Sequence, residues 1–224
     1  MSLHHSPRIV TNGLVLCLDA ANRKSYPRTG SAWTDLSNNG NNGTLINSPS
    51  FSSADSGAIV FDGSNDYIQT LITGTYTQIS FDFWSFFDDP TLNVLSRQES
   101  IFGDWNSNRV HFATRWTDSN AGIHWNVNAV WQTTPPTYLK YGWNHYTLIY
   151  NTVSNLKQVY LNSILSSSHS TNGNMVIGDF KIGVATGLNQ YYRGNISNFK
   201  IYNRALTQTE ILQNYNATKG RFGL

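Results

Sequence analysis

Residues 79–87 constrain this chain more than any other stretch, because Ile79, Phe81 and Phe83 alternate with Ser80, Asp82 and Trp84. A period of two marks a β-strand with one strongly apolar face, since successive side chains point to opposite sides. Further candidate strands stand at residues 14–19, 57–61, 67–70, 100–104, 109–116, 122–128, 143–151, 156–162, 174–184 and 191–203. Short polar connections separate them, and no helical pattern is interleaved. Such an order predicts an all-β sandwich or barrel.

The connections have turn chemistry. The chain holds 26 Asn and 17 Gly, residues that tolerate the left-handed conformations turns demand. Residues 20–56 read as one long turn-rich segment with Asn-Asn-Gly at 38–40 and again at 41–43. Asp62-Gly63-Ser64-Asn65-Asp66 reads as a hairpin turn between the strands on either side. One helix is expected, near the C-terminus. Thr207 and Glu210 are spaced as a capping box, followed by an apolar face of Ile211, Leu212 and Tyr215. Residues 1–12 read as an N-terminal arm, docked on its own domain or on a neighbour, and residues 13–224 as a single domain.

Composition excludes several function classes. A formal net charge of +2 is too small to argue for nucleic acid or an acidic membrane. No stretch reaches the roughly 18 apolar residues of a membrane helix, so no membrane insertion is expected. The first twenty residues lack a secretory signal pattern, and the lone Cys17 allows no intrachain disulfide.

Four segments together resemble the laminin-G-like jelly-roll family, the branch grouped with concanavalin-like lectins and glucanases. They are the run from Phe61 to Ile68, the strand Ile79 to Trp84, Trp143-Asn144-His145-Tyr146 leading to Val159-Tyr160-Leu161-Asn162, and Gly194-Asn195-Ile196 through Tyr202-Asn203-Arg204-Ala205-Leu206 to Glu210. The resemblance implies a jelly roll of two antiparallel sheets, six or seven strands each. One departure is Asn162-Ser163, where the family usually carries Asn-Gly at a hairpin tip; it leaves the turn type open. The opening, from Ser6-Pro7-Arg8-Ile9-Val10 through Gly13–Asn22 to Trp33-Thr34-Asp35-Leu36-Ser37, is similar to proteins of marine tailed phages. That similarity implies a virion component or tail-associated adhesin, assembled in bacterial cytoplasm, where disulfides are rare.

Catalysis is not expected. Retaining glycosidases of this fold need two carboxylates about 5–5.5 Å apart, and the chain has only Glu99 and Glu210, the second engaged in capping. Asp88-Asp89 abuts Pro90 and reads as a turn, and Cys17 lies in an apolar strand where a buried, inert thiol is the default. For metal, Asp62, Asn65 and Asp66 offer oxygens that suit either calcium or simple turn capping. His4-His5 lacks the partner cysteines of a zinc site.

Strand parity sorts the aromatic residues. Val110, Phe112, Thr114 and Trp116 share a face, as do Ile123, Trp125 and Val127, which assigns Trp116 and Trp125 to the core. His111, Arg115, His124 and Asn126 are then displayed on the opposite face, with Trp105 and Trp131 in loops near its ends. Aromatic platforms beside Asn, Arg and His donors suit sugars; Trp and Arg equally suit a protein contact. The expected function is therefore a non-catalytic phage surface protein for attachment or assembly. The alternative is a free-standing lectin-like module that takes carbohydrate with the help of calcium. Partners would be other virion proteins, a host cell-surface glycan and further copies of the chain.

Overall fold

The computed structural model describes residues 7–87, 98–108, 110–115, 122–133 and 141–224. Along the chain run β1 (Leu14–Asp19), β2 (Ala32–Trp33), β3 (Gly43–Ile46), β4 (Ser50–Ser52), β5 (Ala58–Asp62) and β6 (Tyr67–Thr70). Next come β7 (Gly74–Tyr76), β8 (Gln78–Phe87), β9 (Gln98–Asp104), the one-turn helix α1 (Trp105–Asn108), β10 (Val110–Arg115), β11 (Gly122–Val127) and β12 (Val130–Thr133). The rest holds β13 (Gly142–Asn151), β14 (Leu156–Leu161), β15 (Ile164–His169), β16 (Met175–Ile177), β17 (Lys181–Ile182), β18 (Ala185–Thr186), β19 (Arg193–Tyr202) and α2 (Gln208–Thr218).

Two sheets pack face to face, as the alternation predicts. One has eight strands in the order β15-β14-β13-β8-β19-β5-β4, with β1 beside β19. The other has nine, β12-β11-β10-β9-β17-β6-β3-β2, with β18 parallel to β9. Both exceed the six or seven strands expected, because residues 20–56 contribute three short strands where only turns are legible. Aromatic rings fill the space between the sheets: Phe81 stacks on Phe102 at 4.8 Å, and Phe83 meets Phe199 at 5.1 Å and Phe112 edge-on at 5.7 Å. Offset and edge-on pairs of this kind favour one interlocked arrangement over many.

Strand β8 turns Ile79, Phe81 and Phe83 into the core as the alternation predicts, but its polar face is buried as well. Asp82 and Ser80 are as inaccessible as Phe81 and Phe83, all at 0% exposure. Helix α2 and residues 7–12 cover the outer side of the eight-stranded sheet. Trp84 stacks between Tyr215 and Phe222 and donates its Nε1–H to Thr218 Oγ1 at 2.8 Å. Val10, Ile149, Tyr160, Tyr202, Leu206 and Ile211 form a second, smaller core there. The described part of the arm, residues 7–12, is docked on its own chain: Asn214 Oδ1 accepts from Val10 N, Asn214 Nδ2 donates to the Tyr202 hydroxyl, and that hydroxyl donates to Val10 O.

Within this layer Asp82 accepts from Lys200 Nζ at 2.7 Å and from Thr147 Oγ1 at 3.0 Å, with His145 Nε2 at 3.1 Å. Burial alone would raise the Asp82 carboxyl; His145 and Lys200 outweigh it and hold the group ionised. Register puts Cys17, Lys200, Asp82 and Thr147 in one row across four strands. Cys17 is buried, and desolvation pushes its thiol up to about 11, so it is protonated and unreactive at neutral pH.

Helix α2 starts at the expected capping box, with Thr207 Oγ1 accepting from Glu210 N and Glu210 Oε2 from Thr207 N. Glu210 also receives Arg204 through both oxygens at 2.6 and 2.8 Å, and that pairing holds its carboxyl down to about 2. Leu212 does not join the buried face as expected; it is 45% exposed, and Ile211, Asn214 and Thr218 face inward instead.

Two further expectations fail for a topological reason. Residues 62–66 are not a hairpin turn: β5 belongs to the eight-stranded sheet and β6 to the nine-stranded one, so this segment carries the chain between sheets. Residues 174–184 are not one strand. The buried Asp104 carboxylate captures the N–H groups of Gly178 and Asp179 at 2.6 and 2.8 Å, which ends β16 and redirects the chain into β17. No described helix is long and apolar enough to cross a membrane. Trp116, Asp88-Asp89 and His4-His5 lie outside the described residues.

Replacing Lys200 with Met leaves the Asp82 carboxylate buried without its ammonium partner. Chemical denaturation is expected to show a loss of about 3–5 kcal/mol, the range for breaking a buried ion pair from one side. At the β14–β15 tip, Asn162 and Ser163 both have positive φ, 49° and 67°, the two-residue hairpin pattern that favours glycine. Ser163→Gly is expected to raise stability by about 1 kcal/mol, read in the same experiment.

Candidate functional site

The outward face of the nine-stranded sheet gathers the polar residues that the eight-stranded sheet does not use. Register puts His111, Asn126 and Trp131 side by side on β10, β11 and β12, with Ala113 and His124 in the next row and Arg115 opposite Gly122 in a third. Register thus sets these five sequence-predicted strand positions on one face. A bulge extends the set. Between Phe112 and Ala113, β9 carries one extra residue, so Ser100 pairs with Ala113 and turns toward the His111 side. Ser100 Oγ lies 2.7 Å from His111 Nε2.

Two details differ from expectation. Trp105 opens helix α1 and Trp131 sits in β12, so neither lies in a loop. Trp105 meets the His111 ring edge-on at 5.6 Å. The polar face is also not displayed to solvent: His111 and Asn126 are 0% exposed and His124 2%. Parity tells which side a residue takes, but not whether another segment lies over it. Burial, with the nearby His124 adding to it, pushes His111 down to about 3, so its ring is neutral near pH 7. Ser100 is itself 0% exposed, and a buried hydroxyl beside a neutral imidazole has no route to a substrate carbonyl.

On this face Asn126 stands out, because its amide nitrogen and oxygen are both buried and neither has a hydrogen-bond partner among the described residues. Leaving such groups unmade costs about 1–3 kcal/mol each, and native proteins rarely keep them except where water, a ligand or a function makes use of them.

Beside this buried set the face opens. A cavity of about 280 Å³ lies over β6 and β17, lined by Tyr67, Lys181, Asn189, Tyr191 and the segment from Val184 to Leu188. Lys181 Nζ stands 5.1 Å above the Tyr67 ring and 3.4 Å from Asp179 Oδ2. The cavity adjoins the sequence-predicted face at three points. Lys181 pairs with Gly103, which pairs with His111. Ser100 takes hydrogen bonds to Gln190 next to Tyr191, with its N–H on Gln190 O at 2.9 Å. Gly187 packs so close to Asn106 of α1 that any side chain there would collide with its amide oxygen, and its φ of 84° suits glycine alone. Sequence reading misses Tyr67, Lys181, Asn189 and Tyr191 because the chain between β17 and β19 folds back across β9, a path that no local periodicity encodes.

Asp62, Asn65 and Asp66 come together at the crossing between sheets. Asp62 Oδ1 accepts from Ser64 N at 2.8 Å and Asn65 N at 3.4 Å, and Asp66 Oδ2 accepts from Asp62 N at 3.2 Å. The Ser64 bond holds the Asp62 carboxyl below its usual range, while burial and the Asp62 charge push Asp66 up. Among the described residues no group of three or more His, Cys, Asp or Glu gathers as metal ligands. Calcium takes about 6–8 oxygens; these two carboxylates, already bonded to the turn, fit self-capping better than a metal cage.

Glu99 and Glu210 cannot act together as a hydrolytic pair. Glu99 lies on β9, in the nine-stranded sheet, and accepts from Arg193 N at 3.2 Å; Glu210 is tied to Arg204 on α2, beyond the opposite sheet.

The fold has well-characterised counterparts. Domain 4 of AbnA, an extracellular arabinanase from Geobacillus stearothermophilus solved with arabinotriose, superposes with a TM-score of 0.67 at 18% identity, over 90% of this chain and 98% of that one. The ligand-binding domain of botulinum neurotoxin serotype D, solved with N-acetylneuraminic acid, gives 0.70 at 16% identity over 92% of this chain and 51% of that one. The binding domain of Paraclostridial Mosquitocidal Protein 1 gives 0.71 at 17%, over 92% and 52%. The chain thus spans about half of the two toxin chains. No curated protein matches it by sequence. A family model described as the concanavalin A-like lectin/glucanases superfamily matches residues 62–212, more than half of the chain. With its two-sheet sandwich and this match, the chain belongs to that superfamily.

Proposed function

We propose that the protein is a non-catalytic carbohydrate-binding module that takes its ligand on the outward face of the nine-stranded sheet. The observation that carries this reading is the Lys181–Tyr67–Tyr191 cavity lying against the buried polar set around Asn126. A sugar presents apolar C–H faces and directional hydroxyls; the cavity offers two tyrosine rings, the Lys181 cation with Asp179 paired beside it, and an amide at Asn189. Of the sequence-predicted positions Trp105, Trp131, His111, Arg115, His124 and Asn126, the three sealed from solvent, His111, His124 and Asn126, would shape the sheet beside the cavity rather than touch the sugar. Two of the structural counterparts were solved with sugars, which supports the ligand class without assigning a sugar.

A phage-surface setting is the second reading. Its support is the resemblance of residues 6–37 to marine tailed-phage proteins. Residues 7–12 dock on α2 of their own chain, so this part of the arm does not call for a neighbour. Strand β15 ends its sheet with Ile164 71% and Leu165 45% exposed, and is the edge on which a second copy would pair in a multimeric particle. Detecting the chain in purified particles tests that setting.

A glycan array probed with the purified protein tests the main reading. Binding to at least one glycan is expected, unchanged by a chelator because the turn at Asp62 does not need calcium. Lys181→Ala, at a partly exposed position, is expected to weaken that binding about tenfold without changing the melting temperature, the loss of about 1.4 kcal/mol that one charge-assisted contact represents. Binding that vanishes with the chelator would restore calcium and Asp62, Asn65 and Asp66 to the site. Absence of any glycan binding would overturn the reading. Asn126→Leu removes two buried polar groups that have no partner among the described residues, so it is expected to stabilise the fold by about 1–2 kcal/mol in chemical denaturation.

A further inference from the structure

A second cavity, sharing no residue with the first, opens between residues 26–31 and 48–51 and holds about 460 Å³. Its floor is aromatic. Tyr26 is 3% exposed, its ring 5.8 Å from that of Phe51, and its hydroxyl is fixed on Gly30 O at 2.9 Å. Arg28 is exposed at the rim with its guanidinium carbon 5.5 Å above the Phe51 ring. Among the described residues no carboxylate pairs with Arg28. Ser31, Ser48 and Ser50 place exposed hydroxyl side chains around the opening.

The backbone reinforces this geometry. Arg28 has a φ of 77° and Ser48 of 71°, left-handed conformations that side chains disfavour. A cation without a counter-charge among the described residues, the part-exposed Phe51 ring beneath it and three serine hydroxyls together match one ligand chemistry. The cation wants a carboxylate, which arginine takes through two parallel N–H bonds. The aromatic floor wants the C–H face of a pyranose, and the serines want its hydroxyls. The volume lies within the span of small-ligand pockets.

We infer that this cavity is a second saccharide site, selective for a carboxylated sugar of the uronic-acid type. It stands apart from the sheet-face cavity and does not depend on it. The test is an NMR titration of the isotopically labelled full chain with glucuronate and, separately, with glucose. Glucuronate is expected to shift the amides of residues 28–31 and 48–51 and to bind about tenfold more tightly than glucose. Arg28→Gly removes the guanidinium at a position whose backbone favours glycine, so the fold is retained; it is expected to reduce glucuronate binding to the level of glucose. Lys181→Ala is expected to leave both titrations at these residues unchanged. Equal affinity for the two sugars, shifts confined to Tyr67, Lys181 and Tyr191, or no response to Arg28→Gly would each overturn the second site while leaving the sheet-face reading standing.

Discussion

Asp82 stands mid-strand in β8 with no access to water, and the division of labour between the two sheets follows from what that carboxylate requires. An isolated buried charge is prohibitively costly and survives only when paired and hydrogen-bonded. Lys200 on β19, His145 and Thr147 on β13 and the lid formed by α2 meet that requirement together. The outer side of the eight-stranded sheet is consequently committed to structure, as a polar row sealed beneath a helix and an arm. The outer side of the nine-stranded sheet carries no such lid from α2, and there the remaining polar and aromatic groups meet a cavity.

Fold class was legible because it depends on local periodicity. The alternation around Phe81 and Phe83 and the Thr207–Glu210 cap are short-range signals, and each predicts the element that forms, whereas turn chemistry alone hides the short strands within residues 20–56 and the crossing at 62–66. What stayed illegible depends on contacts distant in the chain. Parity placed Asp82 opposite Phe81 but could not say that α2, more than a hundred residues later, buries it. The same limit applies to His111, His124 and Asn126: their common face is a local property, their burial is not. Asp104 illustrates the point most sharply, because one carboxylate on β9 decides where a strand seventy residues away must break.

The candidate site was half legible for a related reason. Trp105, Trp131, His111, Arg115, His124 and Asn126 occupy neighbouring strands of a meander, so sequence neighbours become spatial neighbours. Tyr67, Lys181 and Tyr191 arrive from three separate stretches, brought together by the crossing at residues 62–66 and the chain that folds back over β9. The two cavities share one design: a cation near an aromatic ring, Lys181 with Tyr67 and Arg28 with Phe51. They differ in charge balance. Lys181 has Asp179 beside it, which leaves that cavity close to neutral, whereas Arg28 has no carboxylate partner among the described residues. A module built this way would read a glycan at two places with different chemical preferences.

The most direct measurement is a crystal structure of the protein with the glycan that binds it best. The account predicts sugar density over β6, β9 and β17, in contact with Lys181 and a tyrosine ring at Tyr67 or Tyr191. Density on the side of the eight-stranded sheet, displacing α2 or the arm, would contradict it.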